Sequence, residues 1–348
     1  MKGPFFKNLA AGLPVVAVAL FYCVIPAFCE HEKKPMCKRR FYNVEQVKHH
    51  TAWDFVKWLA TRKRSRWPDR VRTEPCDPPP RQVSTGMIRY TVVGHSTVLI
   101  QADGVNILTD PIWSQRASMV SWAGPRRAVD PAIPFDKLPS IDAVLISHNH
   151  YDHMDIPTLK RLAAVHDPVF VAGLCNGRTL RRHGITRIVE LGWWQEHECK
   201  GVRIIFTPAR HFSGRGPFDY NRSLWGGFVM KVSGGTIYFA GDTGYGKHFK
   251  DIRDRLGPID LAFIPIGAYD PAWMMETVHL SPSEAWQAHM DLDALVSVAI
   301  HFGTFQLTDE PIDEPVEKIS TLARRNQGRG GIFVVPTFGK GVYLEELQ

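Results

Sequence analysis

Cysteine is scarce in this chain. There are six in 348 residues, with no CxxC pair and no zinc-ribbon spacing. That excludes a disulfide-stapled mini-domain, and the six read as isolated thiols. Cys23, Cys29 and Cys37 lie in or near an N-terminal hydrophobic segment, Cys76 in a basic arm, and Cys175 and Cys199 beyond it. Internal repeats are also missing, and charged residues make up only 22% against 44% hydrophobic. This is the balance of an ordinary folded protein, not of a disordered tail, a collagen-like repeat or a multi-span membrane protein. The length suits one large domain or two moderate ones. What is plentiful is glycine (28), proline (25) and histidine (15). The first two indicate a turn-rich fold, and the third indicates chemistry.

The net charge of +7 is unevenly placed. Residues 33–81 hold fourteen Lys or Arg against five Asp or Glu, whereas residues 82–348 hold 26 against 28. The positive charge therefore belongs to an N-terminal arm and gives no reason to expect nucleic acid as a partner. Beside a hydrophobic segment, such an arm more often meets an anionic lipid surface, or no partner at all.

The hydrophobic segment is Leu9–Cys29, preceded by Lys2 and Lys7 and interrupted by Pro14 and Pro26. It has the length of a secretory signal or a single membrane anchor. Lys33, Lys34, Lys38, Arg39 and Arg40 follow it. For an anchor they favour a cytoplasmic C-terminal side, while an export signal implies the opposite side. The chain thus divides into a signal or anchor (1–32), a basic arm with a proline-rich linker (33–86) and a main domain (87–348). Within the arm, Val44–Arg66 has the pattern of an amphipathic helix that packs on the domain or lies on a bilayer. The linker is Cys76-Asp-Pro-Pro-Pro-Arg81.

From Ile88 onward, short apolar runs recur at 88–109, 143–146, 169–172, 202–207, 226–240, 261–264, 296–299 and 332–344, in two batches with helices between them. Helical stretches fall near Pro157–His166, Lys247–Leu256, Ser281–Leu292 and Val316–Arg325. Ser281-Pro-Ser-Glu284 carries an N-cap, a proline at the first helical position and a capping-box glutamate. This order predicts two sheets packed together and covered by helices.

The strongest signal is Ser147-His-Asn-His-Tyr-Asp-His153, with four metal-capable side chains directly after an apolar strand. A strand end leading into a loop presents side chains rigidly at an open cleft. Three further candidates each follow another apolar strand: His211, Asp242 and His301. Burying an unpaired carboxylate or imidazole is costly, and a divalent cation offsets that cost. Four ligands in one loop and three at distant strand ends are too many for one ion and fit two adjacent ones.

The pattern His148-x-His150-x-Asp152-His153, then His211, Asp242 and His301, resembles the metallo-β-lactamase superfamily. Within it, Ser147–His153, Leu224-Trp-Gly226, Phe239–Tyr245, Ile264–Tyr269, His279-x-x-Pro282 and Ala299–Phe305 are similar to the N-acyl-phosphatidylethanolamine-hydrolysing phospholipases D and their bacterial relatives. Gly94–Thr97 and Leu108–Pro111 are also similar to that group. The likeness spans about Met87 to Glu346. It implies an α/β chain folded as a four-layer αββα sandwich of two mixed sheets. It also implies a dinuclear site, with His148, His150 and His211 on one metal, Asp152, His153 and His301 on the other, and Asp242 bridging. Zinc is the family's usual metal, and manganese or iron also suit nitrogen and carboxylate ligands. The family's diiron redox branch has a glutamate where this chain has His150, which argues against redox chemistry.

The resemblance implies a metal-dependent hydrolase in which a bridging hydroxide, fixed by Asp152 and Asp242, attacks a phosphodiester. His279 is the candidate for contacting substrate or handling a proton. His95 reads as a supporting residue. The expected substrate is an N-acyl-phosphatidylethanolamine-like lipid at a membrane surface, and the family enzyme suggests a homodimer. A lactonase or other carbon–oxygen hydrolase is the alternative enzyme reading. A metal-stabilised binding protein is the non-enzymatic one.

Overall fold

The computed structural model describes residues 37, 39–47, 50–73, 76–216, 218–328 and 330–347. The expected signal or anchor at 1–32 lies outside the described residues. Among the described residues, no helix is long and apolar enough to cross a membrane.

The strands are β1 (Ile88–Gly94), β2 (Thr97–Ala102), β3 (Val105–Thr109), β4 (Ala143–Ile146), β5 (Val169–Gly173), β6 (Ile188–Leu191), β7 (Glu196–Cys199), β8 (Val202–Thr207), β9 (Gly227–Val232), β10 (Gly235–Phe239), β11 (Ile259–Pro265), β12 (Ala294–Ile300), β13 (Ile332–Val334) and β14 (Gly341–Tyr343). The helices are α1 (Ala52–Thr61), α2 (Ile156–His166), α3 (Gly177–Arg182), α4 (His248–Leu256), α5 (Ala272–Met275), α6 (Pro282–Asp291) and α7 (Glu314–Arg325).

Two seven-stranded mixed sheets result, in the orders β14-β1-β2-β3-β4-β5-β6 and β13-β12-β11-β10-β9-β8-β7. The period-two alternation of strands sorts side chains between layers. In β4, Ala143 and Leu145 point to the core between the sheets, while Val144 and Ile146 face α2 residues Leu159 and Leu162. In β10, Ile237 and Phe239 enter the inter-sheet core, and Tyr238 packs outward with α4 residues Phe249 and Ile252. Each sheet thus has one face on the other sheet and one under helices, which is the αββα sandwich.

The strands with clear apolar patterns lie where the sequence places them, within a residue or two. The additions are β6, β7, α3 and α5. Strand β7 reads Glu-His-Glu-Cys and forms a sheet edge, so it needs no apolar face for pairing. The arm differs more from expectation. Only Ala52–Thr61 of Val44–Arg66 is helical, started by a Thr51–Asp54 capping box. The helix packs on the sandwich: Trp58 is buried, and its indole N–H donates to Asp309 Oδ2 at 2.8 Å. Arg62 adds an ion pair to the same carboxylate at 2.7 Å. The expectation of isolated thiols is corrected at Cys37 and Cys175, which form a disulfide joining the arm to the turn after β5. Two residues distant in sequence are brought to a Cα separation of 5.4 Å by tertiary packing that spacing alone does not reveal.

Helix α6 begins as its sequence dictates. The Ser281 hydroxyl accepts from the Glu284 N–H, and the Glu284 carboxylate accepts from the Ser281 N–H at 2.9 Å. Ser281→Ala should lower the free energy of unfolding by about 1 kcal/mol, read as a lower urea midpoint at unchanged slope.

Candidate metal centre

The site sits at one edge of the sandwich, where strand ends from both sheets meet. The first sheet supplies the loop after β4. There Met154 N–H donates to His150 C=O at 2.8 Å and turns the chain toward α2. The second sheet supplies His211 beyond β8, Asp242 beyond β10 and His301 directly after β12. Gly241 carries a φ of +61°, and a Cβ there would lie 2.6 Å from Ser147 Cβ. Only glycine lets the Asp242 turn come this close to the histidine loop. His95 and His301 also have positive φ, at 55° and 58°, the kind of strain that collects at functional sites.

All seven sequence-expected ligands converge. His150 Nδ1 lies 2.8 Å from His148 Nε2 and 3.2 Å from His211 Nε2. Asp242 Oδ2 is 3.9 Å from His148, 3.8 Å from His211 and 3.1 Å from His153, and its Oδ1 is 3.2 Å from His301. Asp152 Oδ2 lies 3.2 Å from His153 and 3.4 Å from His301. Among the described residues, four overlapping groups of ligand atoms could each hold an ion; two of them match the expected partition, His148, His150 and His211, and Asp152, His153 and His301 together with His95, while the others are Asp110 with His148 and His153, and His211 with Asp242 and His279. Asp242 lies between the two expected groups. His279, the remaining candidate, places Nδ1 3.9 Å from Asp242 Oδ2.

A tetrahedral zinc with bonds of roughly 2.0–2.1 Å spaces its ligand atoms about 3.3 Å apart. The separations within the two groups are close to that. Among the described residues, His153 Nε2, Asp242 Oδ1 and His301 Nε2 are buried without a hydrogen-bond partner. Buried polar atoms are rarely left so, and a cation among them satisfies all three. The donor set of imidazoles and carboxylates suits a divalent metal.

The electrostatics agree. Burial pushes His148 and His211 well below the ordinary imidazole pKa and brings His150 down to about 4. Neutral imidazole is the form that ligates. Burial opposes charge on His153 as well, but Asp242, Asp152 and Asp110 outweigh it and hold that imidazole well above its ordinary value. At His301 burial is likewise outweighed by Asp242 and Asp152, and the pKa rises to about 9. Burial would raise the carboxyls of Asp242 and Asp152, yet His153 and the surrounding imidazoles hold both well below the carboxylate range. The pocket demands positive charge, supplied by protons when no cation is bound.

Several supporting residues escape sequence reasoning. Asp110, at the end of β3, accepts from the Ser147 N–H at 2.7 Å and lies 2.7 Å from His153 Nδ1. It orients that ring, as carboxylates behind metal-binding imidazoles commonly do. Its place at a strand end, before Pro111, is the signal that could have found it. His95, which the sequence already marks as a supporting residue, places Nε2 2.9 Å from Asp152 Oδ2. His211 Nδ1 faces the Val278 carbonyl at 2.9 Å. Arg215 donates to the carbonyls of Asn149 and Met154, both at 2.8 Å, and so braces the histidine loop.

Residues 105–302, more than half of the chain, match the model of the Beta-lactamase superfamily domain. The chain belongs to the metallo-β-lactamase superfamily. An uncharacterized protein of Mycobacterium bovis is 43% identical over 235 residues, which are 66% of this chain and 62% of that one. The chain therefore spans less than two thirds of that relative's length. The N-acyl-phosphatidylethanolamine-hydrolyzing phospholipase D 1 of Caenorhabditis elegans is 38% identical over 244 residues, covering 67% of this chain and 68% of that one. The solved structure of Igni18, a metallo hydrolase from Ignicoccus hospitalis, superposes with a TM-score of 0.56. It is 22% identical and covers 74% of this chain and 98% of that chain, a likeness that speaks to the superfamily fold alone.

At pH 7 the metal-free His153 and His301 carry protons, because both pKa values are raised. Metal uptake at their Nε2 atoms must displace them. Adding Zn2+ to metal-free protein in weak buffer at pH 7 should therefore release protons, and metal affinity should fall as pH is lowered. Calorimetry in buffers of different ionisation enthalpy measures this. Zinc uptake without proton release would contradict the assignment of these two residues as ligands.

Proposed function

We propose that this protein is a metal-dependent hydrolase of phospholipase D type, acting on N-acyl-phosphatidylethanolamine-like lipids at a membrane surface. The observation that carries the reading is a cavity of about 540 Å³ that opens on the metal centre. His150, Asp152, His211 and His279 line its polar end, while Phe55, Trp58, Val120, Met274, Met275 and Leu307 are among its apolar walls. The volume lies within the range of small-molecule sites, roughly 300–1,000 Å³. A site for a small polar ester has no need of such walls, and a closed structural metal site has no need of an opening. Met119 and Trp122 line the cavity and are also largely exposed, so the apolar lining continues onto the surface. Such residues beside a basic arm suit contact with anionic lipid. The resemblance in sequence to the nematode phospholipase D supports the same substrate class.

Two divalent cations, held as His148–His150–His211 and Asp152–His153–His301 with Asp242 between, would supply Lewis-acid activation of water and of the phosphoryl oxygen. Zinc fits these donors, as do manganese and iron. The protein's own side chains do the remaining work. Asp242 and Asp152, ionised at pH 7, accept hydrogen bonds from the attacking water and fix its direction. Water oxygen bonds to phosphorus, the phosphorus–oxygen bond to the ethanolamide breaks, and N-acylethanolamine leaves with a proton, so phosphatidic acid remains. Burial pushes His279 down to about 4 despite Asp242, so its imidazole is neutral at pH 7. Its Nδ1 can take a proton from water and return it to the departing oxygen.

Incubation of metal-loaded protein with vesicles containing N-acyl-phosphatidylethanolamine should release N-acylethanolamine and phosphatidic acid, detected by mass spectrometry, and EDTA should abolish it. His279→Ala should lower turnover about 10²-fold with metal content unchanged. Intact lipid beside rapid opening of soluble lactones would replace this reading with that of a lactonase.

A further inference from the structure

Asn43, in the arm, hydrogen-bonds directly to the backbone of a candidate ligand. In residues 41–47, which bend at Val44 and Glu45, Phe41, Asn43, Glu45 and Val47 are half-buried and Tyr42, Val44 and Gln46 exposed. The segment is fixed at several points. The Phe41 N–H donates to the Asn221 carbonyl at 2.7 Å, and the Glu45 carboxylate accepts from the Lys247 N–H at 2.8 Å, just before α4. At its start, Cys37 is covalently joined to Cys175.

Asn43 uses its whole carboxamide on the backbone of one candidate ligand. Its Oδ1 accepts from the His211 N–H at 3.1 Å, and its Nδ2 donates to the His211 carbonyl at 3.0 Å. The same Oδ1 accepts from the buried Trp225 indole at 3.1 Å. On the far side, the His211 ring is held through Nδ1 by the Val278 carbonyl. The loop carrying His211 has left β8, and its bridge to Gly244 ends at Arg210, so among the described residues no backbone partner pairs with His211. The side chain of Asn43 takes that place, pairing with both polar groups of the peptide as a neighbouring strand would.

We propose that Cys37 and residues 39–47 are a pinned strap of the active site, in which Asn43 is a positioning residue for His211 and the Cys37–Cys175 disulfide holds Asn43 in place. The proposal rests on His211 being a ligand with His148 and His150. It assigns to the arm a role in metal retention that none of the histidine and aspartate motifs contains. Groups behind a metal ligand commonly govern affinity by ten- to a hundredfold. Loss of the Asn43 clamp should therefore speed release from the ion that His211 holds, and leave the ion at Asp152, His153 and His301 unaffected.

The test loads full-length protein with Zn2+ and follows transfer to a chromogenic chelator. Wild type should release two equivalents slowly. Asn43→Ala should release one equivalent about tenfold faster, with the second unchanged. Asn43→Asp, which keeps the acceptor but not the donor, should fall between. The urea midpoint of the metal-free variants checks that the fold is intact, and site-selective loss is a signature that general loosening would not give. The double variant Cys37→Ser with Cys175→Ser should speed release of the same equivalent. Adding Asn43→Ala to it should give no further increase, because both act through one contact. Asn43→Ala with wild-type release, or equal acceleration of both equivalents, overturns the proposal while leaving the ligand assignment intact. Additive effects of the disulfide and Asn43 changes overturn the pinning role. A wild-type chain that binds no metal overturns the proposal together with the assignment beneath it.

Discussion

A buried carboxylate surrounded by imidazoles is the constraint on which the rest of this structure depends. Asp242 is buried and ionised, and four histidine side chains from the expected ligand set reach within 4 Å of it. Taking a carboxylate out of water costs several kcal/mol unless positive charge compensates. The imidazoles can supply that charge as protons on His153 and His301, or can stay neutral and share a cation. The first arrangement leaves polar atoms unmatched, and the second satisfies them. The electrostatic demand at Asp242 therefore explains why so many titratable groups are tolerated in an otherwise apolar edge of the sandwich.

The fold meets this demand by geometry at strand ends. Strands β4 and β12 are short and largely apolar, buried on both faces apart from Leu295; β4 leads through Ser147 to His148, and β12 hands over directly to His301. The close approach at Gly241 locks the Asp242 turn against Ser147. Asp110 then ties that same serine and His153 to the end of β3. The apolar cavity adds a second environment next to the first, a dry wall beside a charged floor. That pairing suits a substrate with a phosphate at one end and hydrocarbon at the other.

Much of this was legible in the sequence, for physical reasons. The strands that build the inter-sheet core alternate cleanly, and a histidine-rich loop after an apolar run has few structural explanations. The distant candidates stood out because each follows a buried strand. Edge elements were harder, since β6 and β7 are only four residues long and pair on one side only. The supporting residues were harder still. Asp110 looks like an ordinary turn aspartate until His153 is seen against it, and Asn43 lies in a basic arm with no motif around it. The cavity walls come from α1, from the loop around Met119 and from the Met274–Met275 segment, whose association is a property of tertiary packing and of no single stretch. The disulfide between Cys37 and Cys175 is of the same kind.

The two groups of ligand atoms do not respect the division between the sheets. His148 and His150 belong to the first sheet and His211 to the second, while Asp152 and His153 belong to the first and His301 to the second. Each ion would therefore be a rivet through both halves of the sandwich. A nascent chain cannot assemble the first site before position 211 has emerged, nor the second before position 301, and both wait for the second sheet to dock on the first. Capture of metal becomes a late checkpoint of assembly, and a chain that stalls before it displays loose histidines without a grip on any ion.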